Sequence, residues 1–206
     1  MVLVAIDGPA GSGKSTVASE LAARLGLKRL DTGAMYRAVT LLALRAGTDL
    51  RAAPELERLA RQMTLELDGV KVWLDGEDVS LAIRSAEVDA AVSIVASCPA
   101  VRSELVRRQR HWAELQGGGV VEGRDIGSVV FPRADLKIYL TADTEERARR
   151  RADQFRSLPD PSSLARRDAL DSSRPASPLV VPEGAVLVDS TGRSVEDVVE
   201  EVLKYL

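Results

Sequence analysis

The chain has 206 residues, a formal net charge of −3, 45% apolar residues and only 3% aromatics. That length suits one α/β core carrying a small insertion. The slight acidity argues against general nucleic-acid binding, which needs a basic face to displace counterions from phosphates. Cys98 is the only cysteine, which excludes an internal disulfide framework and a Cys-rich metal site. No signal peptide and no long apolar span are visible, so a cytoplasmic setting without a membrane partner is expected. Arginine outnumbers lysine 23 to 5, a bias that suits bidentate phosphate recognition but also follows from base composition or thermostability. His111, the sole histidine, lies among Arg107, Arg108 and Arg110 and reads as a surface residue, which leaves no histidine base for triad chemistry.

In chain order, the apolar run Val2-Leu3-Val4-Ala5-Ile6 reads as a buried strand leading into Gly8-Pro9-Ala10-Gly11-Ser12-Gly13-Lys14-Ser15, a complete G-x-x-x-x-G-K-[ST] phosphate loop. A helix should open at Lys14, because Val17, Ala18, Leu21, Ala22 and Leu25 recur at helical spacing until Gly26. Lys28-Arg29-Leu30 is a short strand, followed by helices over about Gly33–Ala46 and Pro54–Gln62. The period then changes to alternation. Two Asp-Gly pairs, at 68–69 and 75–76, separate short apolar-polar runs and predict a small antiparallel meander. Helices follow around Ala86–Ala96 and Ala100–Gln116, ended by Gly117-Gly118-Gly119. Val120–Glu122 and Leu136–Leu140 return as strands, and Asp143 with Glu146 reads as a capping pair opening an arginine-rich helix to about Gln154. Arg156 to Ser163 has turn formers and no apolar period, and reads as an exposed mobile loop. Ala185–Val188 is the last strand, and Ser194 caps a closing amphipathic helix. The alternation implies an α/β fold with a parallel sheet and helices on both faces, interrupted by a small antiparallel β insertion.

The phosphate loop carries its own chemistry. Successive backbone N–H groups point inward at triphosphate oxygens, Lys14 reaches the β and γ phosphates, and the Ser15 hydroxyl can hold Mg²⁺. The dipole of the helix that follows adds to the anion site. Asp7 and Asp31 are both candidates to act on the metal through water. The loop alone does not separate a switch protein from an ATPase or a kinase. A guanine-specifying N-K-x-D string is absent, which disfavours a GTP-dependent switch, and few aromatics for base stacking disfavour a nucleic-acid-binding ATPase.

Three further strings decide between them. Leu30-Asp31-Thr32-Gly33-Ala34-Met35-Tyr36-Arg37 resembles the acceptor motif of nucleoside monophosphate kinases. Glu122-Gly123-Arg124-Asp125-Ile126-Gly127-Ser128-Val129-Val130-Phe131-Pro132 and Arg167-Asp168-Ala169-Leu170-Asp171-Ser172-Ser173-Arg174 resemble signatures of bacterial cytidylate kinases, and the resemblance covers nearly the whole chain. It implies a single P-loop kinase domain over 1–206, with an acceptor-side insertion at about 47–85 and a short lid at about 152–166. It implies transfer of the γ phosphate of ATP to CMP or dCMP with Mg²⁺, in pyrimidine nucleotide metabolism, by a monomer. A related kinase for UMP or another small acceptor is the nearest alternative.

Residue by residue, the resemblance assigns ATP to Gly8, Pro9, Ala10, Gly11, Ser12, Gly13, Lys14, Ser15 and Thr16. Thr32, Tyr36 and Arg37 match residues that face the acceptor, with Arg37 and Arg124 on its phosphate. Ser93, Arg102 and Asp125 match residues that read the base, and Arg167 and Asp171 match ones that reach the sugar. A carboxylate at Asp125 suits the cytosine amino group and disfavours the uracil O4 lone pairs. Arg147, Arg150, Arg151 and Arg174 flank the proline-containing loop and are candidates to act with Lys14 on the migrating phosphoryl group. The alternative for the first three is a solvated helix face paired with Glu145 and Glu146. The stretch from Arg151 to Arg167 is shorter than the family pattern.

Overall fold

A computed structural model describes residues 2–155, 160–174 and 176–206. Its elements run β1 (Leu3–Asp7), α1 (Lys14–Leu25), β2 (Arg29–Asp31), α2 (Thr32–Arg45), α3 (Ala53–Gln62), β3 (Leu65–Asp68), β4 (Lys71–Leu74) and β5 (Glu77–Asp78). Then come α4 (Ala86–Val95), α5 (Pro99–Gln116), β6 (Gly119–Gly123), β7 (Leu136–Thr141), α6 (Thr144–Phe155), α7 (Pro161–Ser172), β8 (Val186–Asp189) and α8 (Val195–Leu203). The chain divides into two compact units, Met1–Leu30 with Ala113–Leu206, and Asp31–Trp112.

The first unit is built on the sheet β2-β6-β1-β7-β8, in which β1 runs parallel to β6 and β7, and β8 runs parallel to β7. All of β1 is buried, as a parallel strand covered on both faces must be. On one face Val17, Ala18 and Leu21 of α1 and Val198, Val199 and Val202 of α8 close over Val4, Ile6, Val120, Ile138, Leu140 and Val188. Gly26 ends α1 at a positive φ of 64°, and the Leu27 N–H reaches back to the Ala22 carbonyl at 2.9 Å. Ser194 caps α8 by accepting from the Asp197 N–H at 3.1 Å. Asp143 caps α6 by accepting from the Glu146 N–H at 2.7 Å, but the reciprocal half of the expected box does not form. The Glu146 carboxylate takes Arg149 and Arg150 instead, and the Asp143 N–H goes to Thr191 Oγ1.

The second unit packs α2 against α3 and α4 and carries the meander β3-β4-β5, with the strands antiparallel as the two Asp-Gly turns require. Val72 and Leu74 of β4 are the buried side of that small sheet. A 3₁₀ turn at Ala82–Arg84, invisible to periodicity because of its length, leads into α4, which Ser85 caps.

The expected loop needs correction. Of the stretch Arg156–Ser163 the last three residues are helical: α6 continues to Phe155, and α7 begins at Pro161, while residues 156–159, including Pro159, lie outside the described residues. Asp160-Pro161 is a helix start. Pro fits the first turn without losing a hydrogen bond, and Asp160 Oδ1 accepts from the Ser162 N–H at 3.0 Å. Leu164 anchors that turn, only 1% exposed against Ala10 and Ala148.

A second element missed by periodicity is the π-helical turn Ile126–Val130, in which the Phe131 N–H reaches the Ile126 carbonyl five residues back. Asp7 holds it. At the end of β1 and fully buried, its two carboxylate oxygens accept from the Ile126 and Gly127 N–H groups, both at 2.7 Å. Burial pushes the Asp7 carboxyl up to about 6, against the pull of those two donors.

A raised carboxyl pKa makes the folded state bind a proton that the unfolded chain has released, so its contribution is complete below about pH 3.8 and lost as pH rises through about 6. The stability of the parent relative to Asp7→Asn is expected to fall by about 3 kcal/mol between about pH 4 and about pH 7, because two pKa units correspond to roughly that energy. Urea unfolding of both proteins at the two pH values checks it; parallel pH profiles contradict it.

Candidate functional site

The segment between β1 and α1 forms the phosphate loop expected from its spacing. Gly8 has φ 149°, and a Cβ there would lie 2.0 Å from the Leu140 carbonyl oxygen, so only glycine lets the loop leave β1 beside β7. Gly13 precedes α1, whose first turn closes on its carbonyl from the Thr16 and Val17 N–H groups. The start of α1 thus carries the unpaired N–H groups and positive dipole end that favour an anion. Lys14 is buried and folds across the loop, donating to the Pro9 carbonyl at 2.7 Å and to Ser12 Oγ at 3.3 Å. Burial, and then the Arg124 charge, hold its ammonium well below the usual lysine range, with Glu122 and Asp7 opposing.

Ser15 and Thr16 are exposed at the head of α1. Ser15 Oγ donates to Glu122 Oε2 at 2.7 Å, and Arg29 donates to Glu122 Oε1 at 2.6 Å. Glu122 is therefore the carboxylate beside the Ser15 hydroxyl. Asp7 is committed to the turn at 126–130, and Asp31 caps α2 through the Ala34 N–H at 3.0 Å. The spacing of Glu122 from the loop carries no hint of this; the strand order, with β6 beside β1, creates it.

Near the loop, Arg124, Arg147, Arg150 and Arg174 each pair with a carboxylate. Arg124 donates to the Gly8 carbonyl at 2.8 Å and to Asp171 Oδ2 at 2.9 Å, and Arg174 donates to the other Asp171 oxygen. Burial alone would raise the Asp171 carboxyl, but the charges of Arg124 and then Arg174 outweigh it and hold it below its ordinary value. Arg147 donates to the Ala10 carbonyl and to Asp168, and Asp168 accepts from the Ala10 N–H at 3.3 Å. That clamps Ala10 from both sides. A Cβ on Gly11 would sit 2.6 Å from the Arg147 carbonyl, which fixes how closely α6 approaches. Arg150 pairs with Glu146, as the solvated-face alternative had it, and also donates to Ser190 Oγ and the Ser190 carbonyl. Ser190 in turn donates toward the Ser12 carbonyl. Arg151 and Arg167 are half-buried, and Asp125 is 4% exposed. Lys14, Arg124, Arg147, Asp171 and Arg174 thus share one neighbourhood, and Glu122, Asp168 and Ser190 are partners that no motif spacing announces.

The residues of the second unit expected to face the acceptor form their own group. Thr32 opens α2 and Tyr36 lies one turn on, both buried. The Arg102 guanidinium stands 5.3 Å from the centre of the Tyr36 ring and donates to the Ala96 carbonyl at 3.2 Å. Arg37 is held by Asp89 at 2.6 Å and by the Ile83 carbonyl at 3.2 Å. Ser93 is buried on α4, and His111 is exposed, as expected. Among the described residues no helix is long and apolar enough to cross a membrane.

Known proteins match this chain over nearly its full length. The family model described as cytidylate kinase matches residues 4–206. A cytidylate kinase of Caldanaerobacter subterraneus subsp. tengcongensis is 49% identical over 212 residues, covering 100% of this chain and 94% of that protein. One from Mycobacterium avium is also 49% identical over 212 residues, covering 98% of this chain and 93% of its own length. A solved gluconokinase from Sinorhizobium meliloti shares the fold alone, with a TM-score of 0.57 at 14% identity over 99% of this chain and 90% of that one. A match over this length and at this identity, joined to an intact phosphate loop, makes the chain a member of the cytidylate kinase family.

Proposed function

We propose that this chain is an ATP:(d)CMP phosphotransferase, a single kinase domain acting as a monomer in the cytoplasm. The observation that carries the reading is the loop Gly8–Thr16 bound directly by Arg124 and Arg147, whose guanidinium groups grip the Gly8 and Ala10 carbonyls. ATP would bind through the loop N–H groups, with Lys14 turning from the Pro9 carbonyl to the β and γ oxygens. A phosphate oxygen of the acceptor attacks the γ phosphorus, the bond to the β–γ bridging oxygen breaks, and ADP leaves. Such transfer needs little acid or base chemistry and much positive charge fixed in advance. Arg147 and Arg174, paired with Asp168 and Asp171, would serve that role, with Arg151 one turn after Arg147 on α6.

Ser15 and Glu122 fit a hard cation. One hydroxyl and one carboxylate, with the remaining positions left to phosphates and water, is the donor set Mg²⁺ favours. When bound there, the ion would neutralise charge on the β and γ oxygens. Thr32, Tyr36 and Arg37 would serve the acceptor nucleotide, with Arg37 and Arg124 on its phosphate and Arg167 and Asp171 on its sugar. Ser93, Arg102 and Asp125 would read the base. The buried Asp125 suits an amino donor, so cytosine is favoured over uracil.

Two measurements test this. Lys14→Ala is expected to lower turnover about a hundredfold or more with an unchanged circular dichroism spectrum, since one preorganised charge on a developing anion is worth about that; loss below about tenfold would contradict the loop's role. In a coupled assay CMP and dCMP should turn over well and UMP poorly, and Asp125→Ala should remove most of the cytosine activity. Equal rates with UMP and CMP in the parent would favour the broader reading, a kinase for another small acceptor.

A further inference from the structure

We propose that Arg29 is a positioning residue for the divalent metal: it fixes Glu122 so that one carboxylate oxygen is presented at the Ser15 hydroxyl. The proposal rests on the reading of Ser15 and Glu122 as the metal-holding pair. Because β2 lies beside β6, Arg29 and Glu122 meet across neighbouring strands. Glu122 Oε1 accepts from Arg29 at 2.6 Å and Oε2 accepts from Ser15 at 2.7 Å. Both side chains are shut away from water, Arg29 at 8% and Glu122 at 4% exposure.

The pair does more than join two strands, because the same carboxylate also meets the first turn of α1 through Ser15. Arg29 therefore removes the rotamer freedom that would let the carboxylate swing off Ser15. Arginine suits this better than lysine, because its planar fork fixes direction.

The test compares Arg29→Met, Arg29→Lys and Glu122→Gln with the parent. Two quantities are read: the free Mg²⁺ giving half-maximal rate at saturating ATP and CMP, and Mn²⁺ affinity for the protein bound to a non-hydrolysable ATP analogue, from the electron paramagnetic resonance signal of free Mn²⁺. Arg29→Met is expected to weaken both by about tenfold or more, the usual effect of removing a residue that orients a metal ligand. The KM for CMP should not move, and Arg29→Lys should recover part of the loss. If Glu122→Gln weakens metal binding while Arg29→Met leaves it unchanged or tightens it, Arg29 is a strut or a competitor and the inference falls, with the metal pair standing. If Glu122→Gln changes neither quantity, the metal pair itself is wrong and the inference falls with it. Should Arg29→Met fail to fold, Arg29→Lys decides: a weakening of about threefold in Mn²⁺ affinity supports the positioning role, and none overturns it.

Discussion

The need to keep charge buried around the phosphate loop, and to neutralise it before any nucleotide arrives, governs the first unit. A site for a triphosphate must hold several cations close together. Cations packed in a poorly solvated place repel one another and resist burial. Their mutual cost is visible in Lys14, whose ammonium is depressed by burial and by Arg124. The protein answers with three carboxylates that each reach more than one group: Asp171 meets Arg124 and Arg174, Asp168 meets Arg147 and Ala10, and Glu122 meets Arg29 and Ser15. These are not decorative surface pairs, which contribute little. Removing one partner from a buried pair costs about 3–5 kcal/mol, because the charge left behind has no water to turn to.

That arrangement explains why the parallel sheet and the order of its strands matter to the chemistry. The strand order β2-β6-β1-β7-β8 sets β1 between β6 and β7, and the loop leaves β1 where those two neighbours also end. From β6 come Glu122 and, just beyond it, Arg124 and Asp125. From beyond β7 comes α6 with Arg147 and Arg150. Gly8 and Gly11 are the places where backbone meets backbone, at Leu140 and at Arg147, and a side chain at either would push these donors outward. The loop is thus held in shape by the elements that also bring its charge.

Some of this was legible in the chain and some was not. The loop, α1, the meander and the caps at Asp143 and Ser194 follow from local rules: a spacing, an apolar period, an Asp-Gly turn, a hydroxyl or carboxylate before a helix. Their causes lie within a few residues, so they can be read there. Glu122 and Arg29 could not be assigned from spacing, since 93 residues separate them and only strand order joins them. The turn Ile126–Val130 is too short for periodicity and depends on Asp7, about 120 residues earlier. The start of α7 is a local signal masked by its surroundings: Asp160-Pro161 satisfies the rule for a helix N-terminus, yet among Ser and Pro it reads as loop, and the burial of Leu164 is what fixes it as helix.

Asp7 and Asp171 show why residue type alone did not settle roles near the site. Both are aspartates, both are nearly excluded from water, and both lie close to the phosphate loop. Their partners differ. Asp7 accepts from two backbone N–H groups, which carry only partial charge, so burial wins and its carboxyl rises to about 6. Asp171 faces the Arg124 and Arg174 guanidinium groups, with Arg167 also near, and their full charges overcome the burial cost and hold its carboxyl below the ordinary value. A carboxylate bound to N–H groups is suited to fixing backbone shape, and one bound to arginines is suited to aiming them at an anion. Glu122 combines the second kind of partner with a hydroxyl at the head of α1, and that pairing sets the carboxylate proposed to hold a metal apart from Asp7, which holds backbone.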